Sequence, residues 1–159
     1  MDKIEYKLFE GIPNDDTLGY ILIVSDDAFS YEGDINEYKK VLSSKHSILT
    51  CVAFDQGEPV GFKIGWEERP YYFESWRGGV IKTYRRKGIA QKLTQLQHNW
   101  CEERGFRIIT TICSNDNNSM ITLNLNSGFH VTGTLYDRGE HLKVYLQKKL
   151  EMNFPDKRK

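Results

Sequence analysis

The chain has 159 residues, and its 22 Lys plus Arg balance 22 Asp plus Glu, for a formal net charge of zero. That length is the usual size of one domain and buries a core without disulfide or metal staples. The neutral balance excludes a polyanion binder acting through its bulk field, so any basic patch must be local. Nine Tyr, eight Phe and three Trp exclude a disordered chain.

In chain order, "KIEYKLFEG" alternates and reads as a first strand. "NDDTLGYILIVSDDAF" offers Asn14 and Asp15 as N-caps, then Leu18, Ile21, Leu22 and Ala28 at helical spacing. "GDINEYKKVLSSK" predicts a second, shorter helix with Ile35, Tyr38, Val41 and Leu42 on one side. The period then changes to two. "SILTCVAFDQGEPVGFKIGWEE" reads as two strands around a turn at Asp55-Gln56-Gly57-Glu58. "YYFESWRGGVI" is a third strand, and its Gly78-Gly79 pair predicts a bulge or a close approach by another group. The segment from Gly88 to Arg104 is helical: Ile89, Leu93, Leu96 and Trp100 repeat at 4, 3 and 4, and Gly105 supplies the stop. "FRIITTICS" is a buried strand, "NNSMITLNLNS" a helix closed by Gly128, and "FHVTGTLYDRGEHLKVYLQKKL" two last strands around Asp137-Arg138-Gly139. The order β-α-α-β-β-β-α-β-α-β-β predicts an α+β or α/β sheet with helices on both faces. Without repeats or linkers, residues 1–150 form one domain and 151–159 a frayed tail.

Cys51, Cys101 and Cys113 are an odd set with no C-x-x-C pair, and read as small buried hydrophobes. His46, His98, His130 and His141 lack ligand spacing, so no metal site is expected. The charged N-terminus has no signal-peptide core and no apolar run is long enough to span a bilayer. The expectation is a soluble, cytoplasmic protein without a membrane partner.

"VIKTYRRKGIAQKL" carries the chemistry. A strand ending near Ile81 runs through a loop into a helix, whose first N–H groups have no internal partner and point outward at the positive end of the macrodipole. Such a junction is an anion site. Gly88 and small Ala90 let an anion reach the main chain, and Arg85, Arg86, Lys87 and Lys82 add charge. Cations are unfavourable at a helix start by themselves. The stretch therefore reads as a phosphate cradle, with a solvated basic turn as the alternative. It is neither G-x-G-x-x-G nor G-x-x-x-x-G-K-[ST], so nucleotide hydrolysis is not implied.

With these residues, the sequence resembles the GNAT superfamily of acetyl-CoA-dependent N-acetyltransferases. "GGVIKTYRRKGIAQKL" is similar to that family's strand, pyrophosphate loop and helix, and "NNSMITLNLNSGF" to its second motif. The resemblance implies a mixed, mostly antiparallel sheet of about seven strands, splayed in the middle, with about four flanking helices. It implies that Arg85, Arg86, Lys87, Gly88, Ile89 and Ala90 hold the CoA pyrophosphate. Val80, Ile81 and Lys82 then match the end of a bulged strand that pairs with the pantetheine arm. Asn117 matches an asparagine that contacts the CoA arm, with Ser119 beside it. Asn117 also reads as a plain N-cap.

Glu74 matches a general base of histone-type members. Six residues before Val80, it falls on the same face provided the bulge does not switch it. A sheet carboxylate paired with Arg77 or Lys63 is the alternative. Many members carry, near the end of the second motif, a Tyr that protonates the leaving thiolate. Asn124 stands at that position and cannot act as an acid, which leaves the thiolate to depart as such or Tyr136 as a weak candidate donor. The implied reaction is direct transfer, with the oxyanion stabilised by a backbone N–H near Val80 or Ile81. Cys113 reads as core, with a covalent role as its rival.

The acceptor side of the family is built from the first two helices and their loop. Here Asp26, Asp27, Glu32 and Asp34, with Phe29 and Tyr31, suit an amine. So do Tyr71, Tyr72, Phe73 and Trp76. The same stretch also reads as an ordinary solvated loop. The expected partner is a small-molecule or peptide amine, and homodimers are common in such folds. The rival functions are a catalytically silent acetyl-CoA-binding regulatory module and, on "KTYRRK" alone, a nucleic-acid binder. No nucleic-acid motif supports the second.

Overall fold

The computed structural model describes residues 3–30 and 33–151. The expected tail beyond Glu151, and Tyr31 and Glu32 of the acceptor loop, lie outside the described residues. The elements are β1 (Glu5–Glu10), α1 (Asp15–Phe29), α2 (Ile35–Leu42), β2 (His46–Asp55), β3 (Glu58–Arg69) and β4 (Tyr72–Val80), then α3 (Ile89–Glu103), β5 (Ile108–Ser114), α4 (Asn118–Asn126), β6 (His130–Tyr136) and β7 (Leu142–Lys149). A short 3-10 turn (Lys82–Tyr84) follows β4. The order is the expected one.

Local chemistry sets the boundaries. Asn14 caps α1 through an acceptor bond from the Thr17 N–H at 2.9 Å, and Asp34 caps α2 through one from Asn36 N–H at 2.8 Å. Gln56 and Gly57 both have positive φ, as a tight hairpin between β2 and β3 requires. Gly105 (φ 81°) and Gly128 (φ 93°) end α3 and α4.

The seven strands form one sheet in the order β1-β2-β3-β4-β5-β7-β6. All neighbours are antiparallel except β4 and β5. Each face carries its own core. On one face Ile89, Leu93, Trp100 and Cys101 of α3 pack with Leu49, Cys51, Phe73, Ile109 and Cys113, and Met120 and Ile121 of α4 join them. On the other, Leu18, Ile21 and Val24 of α1 and Tyr38 and Leu42 of α2 pack on Ile48, Val52, Phe62, Ile64 and Trp66. All three cysteines are free and buried.

The parallel pair is short. β4 and β5 match at Tyr72↔Ile108, Phe73↔Ile109 and Glu74↔Thr110, and then part. At the next position the Thr111 hydroxyl donates to the Ser75 carbonyl at 3.1 Å, where a ladder bond would otherwise continue. The cause of the parting lies in β4. Its register with β3 goes from Ser75↔Gly65 to Arg77↔Ile64, so Trp76 is an inserted residue. The expected bulge is therefore at Trp76, and the Gly78-Gly79 pair serves the close approach instead. A Cβ on Gly79 would lie 3.1 Å from the Phe29 ring and 3.3 Å from Ala28 Cβ of α1.

Gly65 sits beside this bulge. A Cβ there would overlap the Glu74 carbonyl and come within 2.5 Å of the Phe73 ring. Gly65→Ala should lower stability by roughly 2–3 kcal/mol through overpacking, read as the free energy of urea unfolding. Gly133→Ala, where an added Cβ meets nothing within 4 Å, should stay within about 0.5 kcal/mol of wild type.

Candidate active site

The parting of β4 from β5 opens two adjoining clefts. The larger, about 720 Å³, is lined by Val80, Arg85, Arg86, Gly88, Ile89 and Ala90 with Asn117 and Ser119 of α4. The smaller, about 580 Å³, reaches from Ser75, Trp76 and Arg77 to Cys113, Asn124 and Lys143, with Ser25, Phe29 and Tyr38 from the α1–α2 face.

The loop before α3 turns its backbone N–H groups outward. Arg86 (φ 61°) and Gly88 (φ 79°) both have positive φ and flank Lys87, an arrangement that turns successive N–H groups the same way into a nest. The helix ladder begins with Lys92 N–H donating to Gly88 O, and the N–H groups from Gly88 to Gln91 have no backbone acceptor among the described residues. Nothing lies within 4 Å of a Cβ placed on Gly88, so the space before the nest is open. A non-glycine residue at positive φ costs about 1 kcal/mol or more.

Cations that sequence reasoning assigns to the anion tether the loop instead. Arg85 donates from Nη2 to Ala28 O at 3.0 Å and from Nε to Val80 O at 3.3 Å, tying the loop to the end of α1. Lys82 N–H donates to Asp27 Oδ1 at 2.7 Å, and its ammonium reaches Ser30 Oγ at 3.4 Å. Lys87 lies over the Tyr84 ring, whose hydroxyl donates to Asp55 at 2.6 Å. Neither Lys82, Lys87 nor Ile81 lines a cleft. The Ile81 N–H is taken by Val60 O at 3.0 Å. Because N–H direction alternates along a strand, the Val80 N–H points to the unpaired side.

Asn117 is the N-cap of α4, accepting from Met120 N–H at 3.2 Å, and it lines both clefts. Asn124 is buried, and its amide donates to Cys113 Sγ at 3.3 Å. Burial raises the Cys113 thiol above its usual range, so it is a neutral thiol. Tyr136 is 71% exposed on the edge strand and lines neither cleft.

Glu74 is half-buried at the last paired position before the strands part. The Trp76 insertion does switch the face: Phe73 and Val80 belong to the α3 core, seven residues apart, so Glu74 and Val80 point to opposite sides. Glu74 faces Trp66 on the α1–α2 side. Burial raises its carboxyl above the usual range, and Glu68 repels the charge further. Lys45 and the Trp66 indole pull the other way.

Among the described residues, the members of the expected acidic, aromatic mouth are engaged elsewhere for the most part. Asp26 accepts the Gly33 N–H at 3.1 Å, Asp27 holds Lys82, and Asp34 caps α2. Phe73 is core, while Tyr71 and Tyr72 stack under Arg107 and Arg69. Among the described residues of that set, Phe29 and Trp76 reach a cleft. The charged residues of the smaller cleft are Lys63, Arg77 and Lys143, all cationic. Lys63 and Ser25, whose buried hydroxyl has no partner among the described residues, are the site residues that sequence reasoning missed. A lysine at a core-facing strand position was the available signal.

The fold is a mixed seven-stranded sheet parted in its middle beside a helix start, with helices on both faces. The acetyltransferase (GNAT) family profile matches residues 14–129. The chain belongs to the GNAT acetyltransferase family. The fold is similar to the ribosomal-protein-S18-alanine N-acetyltransferase from Escherichia coli (13% identity, 96% of this chain and 98% of that one, TM-score 0.80). It is similar also to a chain of the NatC complex bound to Gag peptide and CoA (21%, 95% and 100%, 0.75). A third is the PaiA N-acetyltransferase from Thermoplasma acidophilum in complex with coenzyme A (14%, 92% and 99%, 0.68). No curated protein sequence matches the chain. Among the described residues, no helix is long and apolar enough to cross a membrane and no cluster of candidate metal ligands is present.

Behind the nest, His98 of α3 is 5% exposed, with Lys148 Nζ 3.1 Å from its Nδ1. Burial, then the charges of Lys148 and Lys63, hold its pKa down to about 3 from 6.5. As pH falls through 6.5 the unfolded chain takes up this proton and the folded chain does not until about pH 3. Across that window His98 removes stability at roughly 1.4 kcal/mol per pH unit. In urea unfolding between pH 7 and 4, wild type should therefore lose stability more steeply than His98→Gln by about that slope, with the curves parallel above pH 7.

Proposed function

We propose that this protein moves the acetyl group of acetyl-CoA directly to a primary amine of a small molecule or peptide. One observation carries the reading: the unfilled N–H nest before α3 opens onto the same cleft as the unpaired edge of β4. An anion and an extended amide-bearing arm are what those two features take together. Two of the similar structures were solved with CoA, which supports the same assignment.

In this reading the N–H groups of Gly88, Ile89 and Ala90 hold the pyrophosphate, with Arg86 adding charge at the cleft. Arg85 and Lys82 keep the loop in place. Asn117 and Ser119 flank the arm, which pairs with the edge ending at Val80 and Ile81. The Val80 N–H is the donor free for the thioester carbonyl oxygen. Glu74 takes the amine proton, through water, because a protonated amine has no lone pair to attack with. Burial raises its carboxyl above the usual range, which makes it a stronger base than a surface glutamate. Cys113 is not the nucleophile, since its thiol is neutral and held by Asn124.

A silent acetyl-CoA-binding module is the second reading. Asn124 favours it, because an amide at this buried position supplies no acid proton.

Calorimetry should give micromolar acetyl-CoA binding for wild type and none for Gly88→Glu. Gly88 faces open space, so the new side chain fits while its charge enters the nest. Glu74→Gln should keep acetyl-CoA affinity within two-fold and lower thiol release with an amine panel by about 10²–10⁴-fold. Binding without thiol release for any amine would favour the silent module. Absence of wild-type binding would sink both readings.

A further inference from the structure

We infer that Lys63 receives the leaving thiolate: its side chain lines both clefts and supplies the charge that Asn124 cannot. The inference rests on the acetyl-CoA reading above.

Placement comes first. Lys63 lies opposite Gly78 in the β3–β4 register. Five residues line both clefts, namely Phe29, Lys63, Gly78, Asn117 and Met120, and Lys63 is the one that titrates. Gly78 makes room for it: a Cβ there would lie 3.4 Å from Lys63 Cγ and 3.1 Å from Phe62 O. The long stem therefore runs past β4 toward the gap between β4 and β5.

The surroundings give this cation no anion. Lys63 makes no ion pair among the described residues. From β2 it faces Cys51, and from β5 Cys113, both raised by burial and so neutral. From α3 it faces His98, held neutral. Arg77 and Lys143 line the smaller cleft with it, and Arg85 and Arg86 the larger, so its other charged neighbours are cations. Burial lowers the Lys63 pKa, which makes its ammonium a stronger acid than a surface lysine. A cation without a counter-ion in a low-dielectric cleft stabilises whatever anion forms beside it.

In the transfer, the amine nitrogen bonds to the carbonyl carbon and the carbon–sulfur bond breaks. Sulfur leaves with the electron pair. The amine proton goes to Glu74, which passes it on to bulk water, and the thiolate leaves as an ion pair with the Lys63 ammonium, taking its proton from water after release. Nothing is oxidised or reduced.

The test uses free CoA on the whole protein and needs no acceptor. CoA binding is first verified by calorimetry for wild type, Lys63→Met and Lys63→Gln. The ultraviolet thiolate band of bound CoA is then titrated, with S-methyl-CoA as the blank for the three protein cysteines. In wild type the bound thiol should ionise at least one pH unit below the roughly 8.5 of a free thiol, and in Lys63→Met at or above it. Equal thiol pKa values in wild type and variants overturn the proposal. So does a wild-type value at or above that of free CoA, whatever the variants do. If wild type gives no heat with CoA, the acetyl-CoA reading itself has failed, and the Lys63 role falls with it. Failure of the two ideas is thereby told apart.

Discussion

The site depends on β4 leaving β5 after three paired positions. A sheet interior normally satisfies every backbone N–H and C=O, and an unpaired central strand is expensive. Here the extra residue at Trp76 re-aims β4, and Thr111 satisfies the first carbonyl left behind with its hydroxyl. The rest of the edge stays open as far as Val80. Trp76 is held against Tyr38 and Trp66 by ring contacts at 5.4 and 4.9 Å, so the insertion is locked by the α1–α2 core. The same core thus sets the width of the clefts.

The parting also explains how the basic loop divides its work. A nest is useful only if its N–H groups stay aimed at one point, and the left-handed Arg86 would relax without support. Arg85 and Lys82 supply that support by bonding the C-terminal end of α1, to Ala28 O, Asp27 and Ser30. In a run of three cations before a helix, one is spent on geometry and Arg86 stays at the cleft. Charge and backbone orientation then act on the same small volume, in the way fixed dipoles stabilise an anion more effectively than mobile side chains alone.

The element order, the helix caps and the loop could be read from the sequence because each is local. Periodicity reports a face, Asn14 reports a start, and Gly88 marks the strand-to-helix junction. The bulge could not be read that way. Trp76 fits a strand as well as its neighbours do, and the Gly78-Gly79 pair drew attention two residues too late. One inserted residue reverses the parity of everything after it, so Glu74 and Val80 exchanged a shared face for opposite ones. The acidic loop misled for a related reason. Asp26, Asp27 and Asp34 look like free charges in sequence, but each accepts a backbone N–H that folding brings to it. Lys63 was hidden because its significance lies only in register, opposite Gly78 and facing the thiol of Cys113.

These placements give the proposed reaction a spatial division between base and cation. Glu74 faces the α1–α2 side, where burial and Glu68 keep its proton affinity high. Lys63 is on the other side of the sheet, where its neighbours are neutral or cationic. A carboxylate and an ammonium in contact would neutralise each other, and each would lose the shift that suits it. The sheet prevents that contact by its alternation, and the Trp76 insertion is what keeps Glu74 off the face that carries Lys63, Gly78 and Val80. The cationic lining of the smaller cleft acts in the same direction. It disfavours a protonated amine and favours a departing thiolate, so in the proposed reaction the leaving group needs no tyrosine at position 124.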